Sequence, residues 1–300
     1  MPDSLIVSAP AKINLRLSVV GRRADGYHLL ETLMVKLDWE DSLAIRPGRR
    51  GIELEVRGAN LPPGEGNLVY RAAGLFFQAA GLKPGVEIVL TKNIPVAAGL
   101  GGGSSDAAAT LLGLNRFWGR PLTLERLREL ALSLGADVPF FLYPRATAWA
   151  SGIGDKVRPG PPLEEWRFLL VNPGWELSTT WVYQNLKLTT GKRNSIVNGL
   201  NERSFTIDRD LRNDLEAVVL PRFPELGRIK ARLIQAGAAG ALMSGSGPTV
   251  FGLFYGSDYL SRAADDLAFA GQGKWLVRPA RVRRLEEADR LEPSVSLGVS

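Results

Sequence analysis

The chain has 300 residues, 45% hydrophobic and 23% charged, a balance that suits a globular protein of one large domain or two ordinary ones. It has no cysteine, which excludes disulfides, thiolate metal sites and a cysteine nucleophile and fits a reducing cytoplasm, and it has no basic leader before an apolar core and no apolar run near the roughly 18 residues of a membrane span. Lysine and arginine exceed aspartate and glutamate, 37 to 31, for a formal charge of +6; this attracts anions, but Arg49-Arg50 and Arg281-Val282-Arg283-Arg284 lack the interleaved aromatics and motifs of a nucleic-acid reader.

Leu5 to Ser18 reads as a strand interrupted at Ala9-Pro10-Ala11. Lys12 and Asn14 are two apart and share one face of it. A lysine in so apolar a strand serves either to discourage edge pairing or to do chemistry. Asp25-Gly26 marks a turn. Tyr27 and His28 follow; the histidine is the only one in the chain, so no two-histidine metal site exists, and the pair could offer a stacking and hydrogen-bonding surface to a base.

After a Pro/Gly-rich loop from Gly58 to Gly66, Asn67 to Ala80 is expected to be a helix with Leu68, Ala72, Leu75, Phe76 and Ala79 on one face, and Asn67 is a natural N-cap. Val86 to Thr91 reads as a strand, and Ser105 to Asn115 as a helix. Between them lies Lys92-Asn93-Ile94-Pro95-Val96-Ala97-Ala98-Gly99-Leu100-Gly101-Gly102-Gly103-Ser104-Ser105. Its glycines allow sharp bends and close approach of a ligand, and Ser104 or Ser105 is a natural N-cap. Strand, glycine loop and helix N-terminus together favour a phosphate. The loop is neither a Walker loop nor a dinucleotide fingerprint, because Ser104 stands where the last glycine of the latter belongs.

Leu122 to Leu134 is a further amphipathic helix, with Thr123 as cap and Gly135 as its stop. Asp137 then sits in the apolar run Val138-Pro139-Phe140-Phe141-Leu142, where it starts a turn or meets a cation. The proline-rich break Arg158–Pro162 marks an expected boundary, giving domains at 1–158 and 159–292 and a mobile tail at 293–300. The second half opens on a strand from Phe168 to Asn172 and carries hydroxyls at Ser178, Thr179 and Thr180. Asn213-Asp214-Leu215-Glu216 reads as mainly structural, and a second glycine loop runs from Ala241 to Phe251 between apolar strands.

Pro95-x-x-x-Gly99-Leu100-Gly101-x-x-Ser104-Ser105-x-Ala107-Ala108 resembles the ATP loop of the galactokinase, homoserine kinase, mevalonate kinase and phosphomevalonate kinase (GHMP) superfamily. The fuller Gly99–Ala108 form, Pro10-Ala11-Lys12-Ile13-Asn14-Leu15, Asp25-Gly26-Tyr27-His28 and Leu134-Gly135-Ala136-Asp137-Val138-Pro139 are similar to the branch acting on 4-diphosphocytidyl-2-C-methyl-D-erythritol in non-mevalonate isoprenoid synthesis. The resemblance implies an α+β fold of two domains, ribosomal-protein-S5-like then ferredoxin-like, with the active site in the cleft between them. It implies ATP as co-substrate with Mg2+, cradled by Pro95, Val96, Ala97, Ala98, Gly99, Leu100, Gly101, Gly102, Gly103, Ser104 and Ser105, with Asn67 and Lys92 near the adenine. It implies Lys12 and Asp137 as catalytic residues and Asn14, Tyr27, His28 and Thr179 as contacts to a cytidine diphosphate methylerythritol substrate. Ser105 is a candidate metal ligand, but no acidic ligand stands out and oligomeric state is not indicated. A sister kinase, a phosphoryl-transfer-dead binding protein and a nucleic-acid binder on the same fold are the rival readings. The first has no use for Asp25–His28, the second none for Lys12 and Asp137, and the third none for the triple glycine.

Overall fold

The computed structural model describes residues 3–24, 26, 28–187, 205–256 and 259–284. Two long apolar strands, β1 (Leu5–Arg22) and β2 (His28–Pro47), form an antiparallel hairpin that carries the first half of the molecule. With 20 residues, β2 is long enough to divide its second edge between two partners. There follow β3 (Gly51–Arg57), α1 (Leu68–Ala80), β4 (Gly85–Thr91), α2 (Gly102–Phe117), α3 (Leu124–Leu134), α4 (Val138–Leu142), β5 (Thr147–Gly152) and β6 (Lys156–Pro159). β4 pairs with the end of β2, and β5 with its beginning. The sheet runs β3-β4-β2-β1-β8, with β6 paired to β5; β8 is the two-residue strand Arg212–Asn213 from the second half of the chain.

The proline-rich stretch lies where β6 ends and the chain crosses to β7 (Trp166–Asn172). Then come α5 (Thr179–Gln184), α6 (Ile207–Asp210), β8, α7 (Glu216–Arg222), α8 (Pro224–Gln235), β9 (Gly240–Met243), β10 (Val250–Tyr255), α9 (Leu260–Ala270) and β11 (Leu276–Arg281). The second sheet is antiparallel in the order β11-β7-β10-β9. One apolar core lies between α1–α4 and the first sheet. A second joins the two sheets through Ile13, Leu15, Val35, Leu37, Phe168 and Phe251. A third seals the second sheet under α8 and α9 with Leu226, Ile229, Leu233, Ala263 and Leu267. Among the described residues no helix is long and apolar enough to cross a membrane.

Local chemistry sets most helix ends. The Asn67 side chain accepts from Val69 N at 3.0 Å and opens α1, which closes on the left-handed Gly81. Thr123 accepts from Arg126 N at 3.3 Å and opens α3, which stops at Gly135. The expectation of a serine cap on α2 is corrected: the helix begins at Gly102, its N-cap is Gly101 at φ 68°, and no side chain caps it. A glycine reaches that left-handed backbone without strain, so the helix starts ahead of both serines.

The β1–β2 register decides which way the catalytic candidates point. It slips between Pro10↔Glu40 and Lys12↔Lys36, where two steps along β1 match four along β2. Ala9 therefore packs under the helices while Ala11, two residues on, packs between the sheets. The irregularity re-aims the strand and turns Lys12 and Asn14 towards the helical side.

Candidate active site

A cavity of about 530 Å³ lies between the first half's loops and the second half's α5 and Gly245-Ser246 turn. One wall is the glycine loop and the start of α2. Gly99 (φ +76°) and Gly101 (φ +68°) occupy backbone that side chains rarely adopt, and close packing also holds them as glycine. A Cβ on Gly99 would lie 2.2 Å from Ser244 O, and one on Gly101 would lie 2.9 Å from Lys12 Cγ. Gly103 is different: its nearest neighbour would be Leu68 Cδ1 at 3.6 Å, so its space is open towards the cavity. The uncapped first turn of α2 turns the positive end of a 16-residue helix to this wall, an arrangement suited to phosphate.

Lys12 is almost wholly buried. Its backbone N donates to Leu100 O at 2.9 Å, which fastens β1 to the glycine loop. Its ammonium donates to Asn14 Oδ1 at 2.6 Å and lies 3.3 Å from Asp137 Oδ2. Asn14 Nδ2 donates to Thr32 Oγ1, and Thr32 donates in turn to Arg16 O, which fixes the Asn14 amide. Asp137 directly precedes α4, yet its carboxylate caps nothing there. It is 39% exposed while Lys12 is 5% exposed, so the carboxylate faces the cavity and the ammonium supports it from below.

Lys92 has a different environment. Its ammonium is buried between two carboxylates, donating to Asp41 Oδ2 and, at 2.7 Å, to Asp106 Oδ2. Asp41 Oδ1 also accepts from the backbone N–H groups of Asn93 and Ile94, at 2.5 and 2.8 Å, and so holds the exit from β4. Burial pushes the Asp106 carboxyl up to about 7, against the pull of Lys92. Asp106 Oδ1 has no hydrogen-bond partner although the residue is 2% exposed and lines the cavity.

The far end is aromatic. The His28 ring lies 5.1 Å from that of Tyr183 on α5, tilted by 35°. Burial, then the Arg22 charge, lowers the His28 pKa, which keeps the imidazole neutral with one donor and one acceptor. Burial, then the Asp137 charge, raises the Tyr183 pKa, so the phenol stays protonated. The second half closes this side. Ser244 Oγ donates to Gly99 O at 2.9 Å, and Thr179 and Ser246 share a hydrogen bond of 2.8 Å. Asn213 Nδ2 donates to Met243 O and Gly245 O and braces that turn.

Lys12, Asn14, Asn67, Lys92, Pro95, Val96, Ala97, Ala98, Gly99, Gly101, Gly102, Gly103, Ser104, Asp137 and Thr179 thus line one cavity. Leu100 and Ser105 do not: Leu100 packs in the core between the sheets, and Ser105 is fully buried with its hydroxyl unpartnered. His28 does not line the cavity, but its ring packs beside that of Tyr183, which does; Tyr27 lies outside the described residues, as does the 293–300 tail. Sequence reasoning missed Asp106, Thr32, Tyr183 and Ser246. Asp106 had a signal, a carboxylate one helical turn beyond Gly102, while Tyr183 had none. Among the described residues no group of three or more His, Cys, Asp or Glu is placed to hold a metal.

Two family models match, "GHMP kinases N terminal domain" over residues 67–145 and "GHMP kinases C terminal" over residues 199–272. The 4-diphosphocytidyl-2-C-methyl-D-erythritol kinase of Syntrophotalea carbinolica is 49% identical over 87% of this chain and 93% of its own length. The enzyme of that name from Geobacter metallireducens is 45% identical over 93% and 98%. A crystal structure of 4-(cytidine 5'-diphospho)-2C-methyl-D-erythritol kinase superposes with a TM-score of 0.73 at 38% identity, over 92% of this chain and 99% of that one. Homoserine kinase from Cytophaga hutchinsonii shares the fold, with a TM-score of 0.71 at 20% identity over 94% and 96%. With full-length relatives at this identity and both domain models in order, the chain belongs to the 4-diphosphocytidyl-2-C-methyl-D-erythritol kinase family, a branch of the GHMP small-molecule kinases.

Proposed function

We propose that the chain transfers the γ-phosphoryl group of ATP to the 2-hydroxyl of 4-diphosphocytidyl-2-C-methyl-D-erythritol, giving ADP and the 2-phosphate. The observation that carries this reading is the Lys12–Asp137 pair, 3.3 Å apart, in a cavity with a glycine-loop wall and an aromatic end. The α2 N-terminus and loop backbone receive the ATP phosphates. His28 reads the cytosine edge and Tyr183 flanks it, which places the acceptor hydroxyl near Asp137. Asp137 orients that hydroxyl and takes its proton, while Lys12 offsets charge on the transferring group. Catalysis is then positioning plus electrostatics, as a loose phosphoryl-transfer transition state requires. We place the domain division at residues 158/159, so that the first domain supplies the ATP loop and the catalytic pair.

Magnesium, bound together with ATP, would supply neutralisation of phosphate charge here. Ser105, fully buried and not part of the cavity lining, does not fit as its ligand. Ser104 and Asp137, both lining the cavity, supply oxygens of the kind a phosphate-held, partly hydrated Mg2+ accepts.

The experiment is ADP release from ATP and magnesium with the cytidine compound, homoserine and mevalonate offered separately. The expected result is turnover with the cytidine compound alone and a fall of at least 100-fold in kcat for Asp137→Asn, the scale of lost acid–base and positioning contributions. Turnover with homoserine or mevalonate instead would reject the reading of His28 and Tyr183. An Asp137→Asn variant at full rate would reject the site.

A further inference from the structure

Lys36 belongs to no motif and lies outside the cavity lining, yet it is 4% exposed. It stands directly across from Lys12 in the β1–β2 register, and partners across an antiparallel pair point to the same face. Both lysines reach α4. Lys12 meets Asp137 at the N-terminal end. Lys36 donates to Phe141 O at 3.1 Å and Tyr143 O at 2.6 Å at the C-terminal end, and its ammonium lies 5.4 Å from the centroid of the Phe140 ring.

We propose that Lys36 is a positioning residue for phosphoryl transfer: by holding the C-terminal carbonyls of α4 it fixes the helix along its axis and so places Asp137 opposite Lys12. This rests on the role of Asp137 proposed above. α4 has five residues, too few to persist without tertiary support, so its placement depends on what grips it. Its last carbonyls have no partner within the helix, and a cation suits that end of the dipole. Phe141 extends the effect, since its Cζ lies 3.1 Å from where a Gly101 Cβ would sit. A shift of α4 therefore moves Asp137 and loosens the glycine loop together. A displacement near 1 Å at a reacting group is enough to cost about 100-fold in rate.

The test compares Lys36→Met, which keeps the stem and removes the charge, with Lys36→Gln and Lys36→Arg, which restore donors. The expected kcat order is wild type, Arg, Gln, Met, with Met reduced roughly 10- to 100-fold and KM for both substrates within about threefold of wild type. Lys36→Met in an Asp137→Asn background should add less than about twofold, because both changes remove one function. A Met variant with lower Tm but kcat within twofold of wild type overturns the proposal, as does full multiplication of the two effects. Should Lys36→Met not fold, the Gln variant carries the same two criteria. A carbonyl-13C NMR titration of aspartate-labelled protein, with the Asp137 signal identified by its loss in Asp137→Asn, gives a second readout. Lys36→Met or Lys36→Gln should displace that signal and Lys36→Arg should restore it; an unmoved signal also overturns the proposal. If wild type fails to turn over the cytidine compound, the reaction assignment fails, and the NMR signal still decides the role of Lys36.

Discussion

Asp106→Asn isolates the buried Lys92 cluster. Two carboxylates, Asp41 and Asp106, share one ammonium, and Asp106 and Lys92 are 2% and 7% exposed. Burial raises the Asp106 carboxyl from 3.8 to about 7. A carboxyl whose folded pKa is raised contributes stability that is complete below its unfolded pKa. That contribution is lost as pH rises through the folded value. Between pH 5 and pH 8, ionisation of this carboxyl within the Asp41–Lys92–Asp106 cluster therefore weakens the folded state by on the order of 3 kcal/mol. Asparagine keeps an oxygen for Lys92 and cannot ionise, so the variant escapes that loss. The measurement is Tm from pH 5 to 8 at fixed ionic strength, wild type against Asp106→Asn. At roughly 2–4 °C per kcal/mol, the variant's Tm relative to wild type should rise by about 6–12 °C across the range, most steeply at its acid end and levelling off above the folded pKa of about 7. Parallel profiles, or a gap that closes as pH rises, would refute the assignment.

Gly101→Ala should lower stability by about 1–3 kcal/mol, from the left-handed backbone and from a Cβ 2.9 Å from Lys12 Cγ; a thermal melt checks it, and kcat should fall with it because the Lys12 stem must move. Gly103→Ala is the contrast, since its Cβ would meet only Leu68 Cδ1, at 3.6 Å: stability should hold or rise by a few tenths of a kcal/mol, while KM for ATP rises as the methyl enters the phosphate wall. His28→Ala should raise KM for the cytidine substrate more than threefold and leave KM for ATP unchanged, read from initial rates with each substrate varied in turn.

What could be read from the chain alone was whatever depends on near neighbours. Asn67 and Thr123 cap their helices because a side-chain oxygen and a backbone N–H two or three residues on suffice. Lys12 and Asn14 share a face because a strand has period two. The direction of that face depends on a register slip against β2 between Pro10 and Lys12, which the local pattern of β1 does not contain. The strand, glycine loop and helix were legible from the chain, yet the close approach of Ser244 O and the Lys12 stem, which also demands glycine at 99 and 101, was not. Tyr183 sits beside His28 only through tertiary folding, and α2 starts at Gly102 because Gly101 adopts a backbone that leaves the serines inside the helix.

The buried lysines make the same point for function. Lys12, Lys36 and Lys92 are 4%, 4% and 7% exposed, and in the sequence each is a charge in an apolar setting. Burial forces each to find partners, and the partners separate their roles. Lys92 is neutralised by two buried carboxylates, so little of its field is left for an incoming phosphate. Lys36 donates to helix carbonyls, which bear only partial charge, and it serves as an anchor. Lys12 pairs with a neutral amide and with a carboxylate that is itself 39% exposed. Of the two lysines that line the cavity, Lys12 is the one whose field is less cancelled. In the proposed reaction, that ammonium, already held by Asn14, is the charge that would face the transferring group, and the half-exposed Asp137 carboxylate is the group that would face the acceptor hydroxyl.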